Sequence, residues 1–107
     1  MAFMVQIKWV ANPFRGDVFA EGWAPAAEDV LDFGASSWAF YRAKDGLLDF
    51  VQEAVFESKA DFERYWYSER ISEARSELAG KYQVPLLPTF WEIVGVGEGA
   101  IYAEVGA

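Results

Sequence analysis

The chain has 107 residues, no Cys, no His, and 17 acidic against 9 basic side chains, for a net charge of −8. Those counts exclude disulfides, thiolate catalysis, the usual general base and the usual heme-iron ligand, and so acidic a surface repels nucleic acid and anionic membranes. The length fits a single domain, 1–107, yet 18% of the residues are aromatic, more rings than one small interior holds, so some belong in an interface or a ligand pocket.

Met4 to Val10 reads as a strand, with Val5, Ile7 and Trp9 on one face and Met4, Gln6 and Lys8 on the other. Asn12-Pro13 breaks it. Asp17 to Phe33 reads as a helix. Asp17 is its N-cap or first-turn acid, Val18, Phe19, Trp23, Ala26, Ala27, Val30 and Leu31 fall at helical spacing, and Gly34 closes it. Pro25 kinks this helix or splits it.

Ser36 to Arg42 and Leu48 to Phe56 read as a hairpin around Lys44-Asp45-Gly46. In the second of these strands Leu48, Phe50, Gln52, Ala54 and Phe56 share one face. Ser58-Lys59-Ala60-Asp61 is a capping box opening a helix from Lys59 to about Arg70, with Phe62 and Trp66 four apart on one face and Tyr65 beside them. A second stretch, Ser72 to Ala79, is out of phase with the first, so a bend is expected between Ser68 and Ser72; Gly80 ends it. Pro85 and Pro88 bracket a loop. Thr89 to Val96 is a fourth strand, and Ile101 to Val105 is a short fifth strand or an arm.

The order β-α-β-β-α-β predicts an α+β, ferredoxin-like fold: a four-stranded antiparallel sheet with helices on one face. The core spans about 4–96, followed by an arm, 97–107. Trp38 and Phe40 alternate with Tyr41, and Phe90 opposes Trp91 and Ile93, so the strands carry large apolar residues on both faces. A sheet with one wet face alternates more cleanly. The simplest cover for the second face is another copy of the chain, so a homodimer is expected.

Three segments carry a family resemblance: Phe19-x-x-x-Trp23-x-Pro25; the hairpin Trp38-Ala39-Phe40-Tyr41-Arg42 with Phe50 to Phe56; and Phe56-Glu57-Ser58-Lys59-Ala60-Asp61-Phe62. In these the chain resembles the dimeric α+β barrel superfamily and its antibiotic-biosynthesis-monooxygenase-like group, over roughly Met4 to Val96. The group includes cofactor-free oxygenases of aromatic polyketides, heme-degrading monooxygenases and members without assigned activity. The heme-degrading branch uses a strand-one Asn, a Trp and a helix His. Here Gln6 stands in strand one and His is absent, so heme turnover is not expected. The cofactor-free branch implies no cofactor, and a Trp and an Arg near a pocket between helices and sheet; Trp66 and Arg42 are the nearest candidates.

The candidate ligand pocket therefore comprises Phe62, Trp66, Tyr41, Arg42 and Gln6, taking a small aromatic ligand whose carboxylate or phenolate Arg42 holds. Strand parity sets Tyr41 and Arg42 on opposite faces, so only one faces the helix unless a bulge intervenes. An aromatic stripe at helical spacing is more often plain core packing than the wall of a pocket. Gln6, Lys8, Arg42, Glu53 and Glu92 lie inside strands, and pairing across the dimer interface is their expected use. Glu28, Asp29 and Asp32 lack the spacing of a calcium loop, so no metal site is assigned. No catalytic residue is assigned either. Two functions compete: cofactor-free oxidation of a polyketide-like aromatic, and a non-catalytic ligand-binding or dimerising scaffold. No apolar run reaches the ~20 residues of a membrane span, and Met1 to Val10 lacks the pattern of a signal peptide; a cytoplasmic location follows as the expectation.

Overall fold

The structure, a computed structural model, describes residues 1–99. Its elements are β1 (Phe3–Val10), α1 (Gly16–Glu28), a 3-10 turn (Asp29–Phe33), β2 (Ser37–Arg42), β3 (Asp49–Phe56), α2 (Lys59–Trp66), α3 (Glu69–Glu77) and β4 (Thr89–Glu92). The strands form one sheet in the order β2-β3-β1-β4, and every neighbouring pair is antiparallel. This is the expected ferredoxin-like α+β arrangement. The fifth strand or arm at Ile101 to Val105 lies outside the described residues.

Alternation decides which way each strand faces. Val5, Ile7 and Trp9 of β1 are buried, as are Phe50, Gln52, Ala54 and Phe56 of β3. They meet Phe19, Trp23, Ala26 and Ala27 of α1, and Phe62, Tyr65 and Trp66 of α2. The register pairs Trp38 with Ala54 and Phe40 with Gln52, so β2 sends these two rings to the same side.

Several boundaries differ from expectation. The first helix is α-helical only to Glu28 and then tightens into the 3-10 turn. Pro25 sits inside it without splitting it, because Pro25 and Glu21, the residue whose carbonyl loses its donor, both face solvent. Asp17 is a first-turn acid and not the N-cap. Val18 and Leu31 lie exposed at the edge of the apolar stripe. Gly34 does close the segment, with φ 96°, a left-handed conformation that glycine adopts without strain.

The second helical region breaks at Tyr67. Ser58 caps α2 by accepting from the Asp61 N–H at 3.2 Å, and Ser68 caps α3 by accepting from the Ile71 N–H at 3.2 Å. A second cap is a local signal for restarting a helix, and it places the break just before the expected bend. The Arg64 guanidinium, with the Ser58 hydroxyl beside it, holds the Asp61 carboxyl below its ordinary range. The fourth strand is only four residues long: beyond Glu92 the chain leaves the sheet.

Candidate functional site

Beneath the sheet, the interior is organised around one buried polar side chain. Gln52 accepts from the indole N–H of Trp9 at 3.0 Å and from that of Trp23 at 2.9 Å. Its Nε2 donates to the Tyr65 hydroxyl at 3.0 Å, and that hydroxyl donates to the Ala26 carbonyl at 2.8 Å. Two indole donors require the amide oxygen between them, which fixes the orientation of the amide. Every buried polar group of this network has a partner, so it locks β1, β3, α1 and α2 together. Burial pushes the Tyr65 phenol well above its ordinary pKa, against a smaller opposing pull from the Gln52 hydrogen bond. Rings fill the remaining space: Trp9 lies 4.6 Å from Trp23, 5.1 Å from Phe19 and 5.0 Å from Tyr82, centroid to centroid.

A hollow does occur at the margin of this core, where α2 faces the segment leading into β4. It is a groove of about 450 Å³ walled by Phe62, Trp66, Leu86, Leu87, Pro88 and Phe90, with Lys59, Glu63 and Tyr67 at its rim. The helix fixes one wall, since Phe62 and Trp66 are four residues apart and stack at 6.0 Å with 20° between ring planes. Phe90 closes the opposite side, edge-on to Phe62 at 5.6 Å. Cations lie against two of these rings: Lys59 Nζ is 5.0 Å from the Phe90 centroid, and Arg75 Cζ is 4.2 Å from that of Trp66.

The sequence-derived set is divided among three places. Phe62 and Trp66 share the groove. Arg42 lies on the helix side of the sheet but at its far end, donating to Asp17 Oδ1 at 2.8 Å and to the Leu47 carbonyl at 2.7 Å, over the ring of Phe50. It anchors the start of α1 and has no contact with Trp66. Tyr41 and Gln6 lie on the open face, as unbroken alternation requires; no bulge turns Tyr41 inward. Gln6 donates to Glu53 Oε2 at 3.3 Å. Sequence reasoning missed Gln52, although it is the one polar residue among the inward positions of its strand. It also missed Arg75, Lys59 and Phe90, which no local pattern ties to Trp66.

The open face of the sheet carries a second hollow, of about 460 Å³, lined by Met4, Glu53, Val55, Trp91, Ile93 and Val94 among others. Trp91 and Tyr41, 49% and 57% exposed, project from this face. Asp29 and Asp32, weighed as cation ligands, take Arg70 instead, at 3.6 and 3.3 Å. Among the described residues, no group of three or more acidic side chains is placed to hold a metal ion, and no helix is long and apolar enough to cross a membrane.

No protein-family model matches the sequence, and no curated protein matches it either. The fold is a different matter. Rv0793 from Mycobacterium tuberculosis superimposes with a TM-score of 0.75 over 92% of this chain and 100% of its own, at 13% identity. An antibiotic biosynthesis monooxygenase gives 0.76 over 89% and 100%, at 10% identity. SnoaB, a cofactor-independent oxygenase from Streptomyces nogalater, gives 0.74 over 89% and 95%, at 12% identity. The chain has the antibiotic-biosynthesis-monooxygenase-like fold. Sequence identity this low establishes that fold, in agreement with the resemblance read from the three sequence segments. Within it, both the groove beside α2 and the uncovered sheet face lie outside the packed centre.

Proposed function

We propose that the protein binds a small, flat aromatic molecule in the groove between α2 and the 86–90 segment, and that it does so as a homodimer. The groove carries the reading. Its walls include three rings and aliphatic side chains beside polar surface of similar extent, and its volume of about 450 Å³ falls in the range typical of ligand sites. A flat ring slotted beside Trp66 and opposite Phe90 replaces water against apolar surface on both sides.

The dimer rests on the open sheet face. Met4, Val51, Val55, Tyr41 and Trp91 form an apolar surface there that no element of the described chain covers. A second copy, sheet against sheet, buries it. Glu53 then needs a partner, and Gln6 already supplies one hydrogen bond. Light scattering coupled to size exclusion is expected to give about twice 12.0 kDa; a clean monomer at micromolar concentration removes this part of the proposal.

Oxidation of the bound aromatic without a cofactor is the second reading, and the likeness to SnoaB, a cofactor-independent oxygenase, is what favours it. The ionisable groups lining the groove are Lys59, Glu63 and Tyr67, all exposed, and none is assigned a catalytic role. Binding comes first, and its test is direct. Naphthamide, flat and uncharged, is titrated against wild type and Trp66→Phe while tryptophan fluorescence is followed. Saturable quenching that shrinks in the variant is the expected result. No saturable response leaves the scaffold reading in place.

A further inference from the structure

We infer that the ligand of the groove carries a flexible apolar tail, and that the tail lies in a second hollow on the far side of Phe90; the inference rests on the groove reading above. The second hollow, of about 300 Å³, is lined among the described residues by Phe3, Lys59 and Phe90. Lys59 and Phe90 also line the groove, so the two spaces share a boundary. Strand parity sets both on the helix side of the sheet: Phe3 shares its face of β1 with the buried Val5, Ile7 and Trp9, and Phe90 pairs with Val5. The Phe90 ring stands between the two spaces, 5.6 Å from Phe62 on the groove side and 5.9 Å from Phe3 on the other, centroid to centroid.

The boundary is movable. Lys59 is exposed, and its Nζ lies 5.0 Å from the Phe90 centroid. No carboxylate among the described residues comes within 4.0 Å of it, so the weak attraction of a cation for a ring is what holds this side chain across the junction. Displacing it costs about fivefold in affinity at most. What passes the junction must be thin and must turn round the Phe90 ring. A polymethylene segment does so; a rigid fused ring system does not. The two spaces also differ in lining. The groove has Glu63 and Tyr67 on its walls and suits an aromatic head with a polar group. The second hollow has the Lys59 ammonium as its one polar group among the described residues. Hydrocarbon placed there releases water from the faces of Phe3 and Phe90. The ligand class is therefore an aromatic head joined to an alkyl chain, and Phe3 sets the preference for the chain.

The test is a chain-length series on the full chain: naphthamide and its N-ethyl, N-butyl and N-hexyl derivatives, with affinities from tryptophan fluorescence. In wild type, affinity is expected to rise about two- to fourfold for each methylene between ethyl and hexyl, the effect of burying hydrocarbon partly or fully. Phe3→Ala is expected to bring that factor closer to one. A flat series with naphthamide bound overturns the inference while the groove reading stands. So does a slope that Phe3→Ala leaves unchanged. If no member of the series binds, the groove reading falls and the inference with it. Should Phe3→Ala fail to fold, wild type decides alone. Nuclear Overhauser contacts between the terminal methyl of the N-hexyl compound and the Phe3 ring are expected, and their absence in the bound state overturns the inference.

Discussion

On β3, Phe50, Gln52, Ala54 and Phe56 are buried beneath helices, while Val51, Glu53 and Val55, each one residue along, are only half-buried on the other side of the sheet. The two faces differ in more than exposure. Under the helices every polar group of the Gln52 network has a partner and rings fill the volume. On the open face a carboxylate, an amide and several apolar side chains share a surface that no element of the described residues covers. A face that is filled and satisfied has no capacity left for a ligand, which is why the proposed binding is assigned to its margin, in the groove beside α2, and the proposed association to the other face.

The largest effect that would break this contrast is loss of the hub. Gln52→Leu leaves two indole N–H groups and the Tyr65 hydroxyl short of partners in a dry interior. Denaturant melts are expected to show a loss of about 2–6 kcal/mol, from roughly 1–3 for each of the two orphaned indole N–H groups; a change under about 1 would mean that the network is not formed. Tyr65→Phe removes one link at its edge and is expected to cost about 1–3 kcal/mol by the same reasoning. The retained Tyr65 should also report on pH. Its folded pKa is raised by burial, so its contribution to stability is complete below the unfolded value of about 10 and declines as pH rises above it. Alkaline melts of wild type should therefore fall more steeply above about pH 10 than those of Tyr65→Phe. If the two curves run parallel, the phenol is not buried in the folded state.

Helix caps give a smaller effect. Ser58→Ala and Ser68→Ala are each expected to lose roughly 0.5–2 kcal/mol, and a melt identical to wild type would mean that the helix concerned starts elsewhere. Smallest for the subunit itself is Val55→Asp on the open face. Far-UV circular dichroism should not change, while light scattering should fall to the mass of one chain. A variant that keeps the wild-type mass would show that this face is not where two copies meet.

The architecture was readable because periodicity carries it: alternation in β1 and β3, the four-residue step from Phe62 to Trp66, and the Ser58 cap are local signals. So was the open face, from the opposition of Phe90 to Trp91. What escaped has a common cause. Arg75 reaches Trp66 from a different helix, and Phe90 reaches Phe62 of α2 from strand β4, and no spacing within one element encodes a contact between two. Parity alone already separated Tyr41 from Arg42, and the structure adds that neither touches the groove. Gln52 was visible by parity too, but its meaning depends on three partners that converge only once the chain is folded. The short β4 was misjudged because Ile93, Val94 and Val96 read as strand, while the ladder with β1 ends at Glu92 opposite Phe3.

The bonds of Gln52 reach 43, 29 and 13 residues along the chain, to Trp9, Trp23 and Tyr65. Contacts of that span cannot close until the sheet has formed and both helices have docked on it, because each closure carries loop entropy that nothing local offsets. The network should therefore be a late event, scarcely present at the barrier to folding. Removing it is then expected to leave the refolding rate nearly untouched and to accelerate unfolding by almost the whole of the lost stability. The side chain that holds the interior together would act less as a guide for the folding chain than as a latch that keeps the finished domain shut.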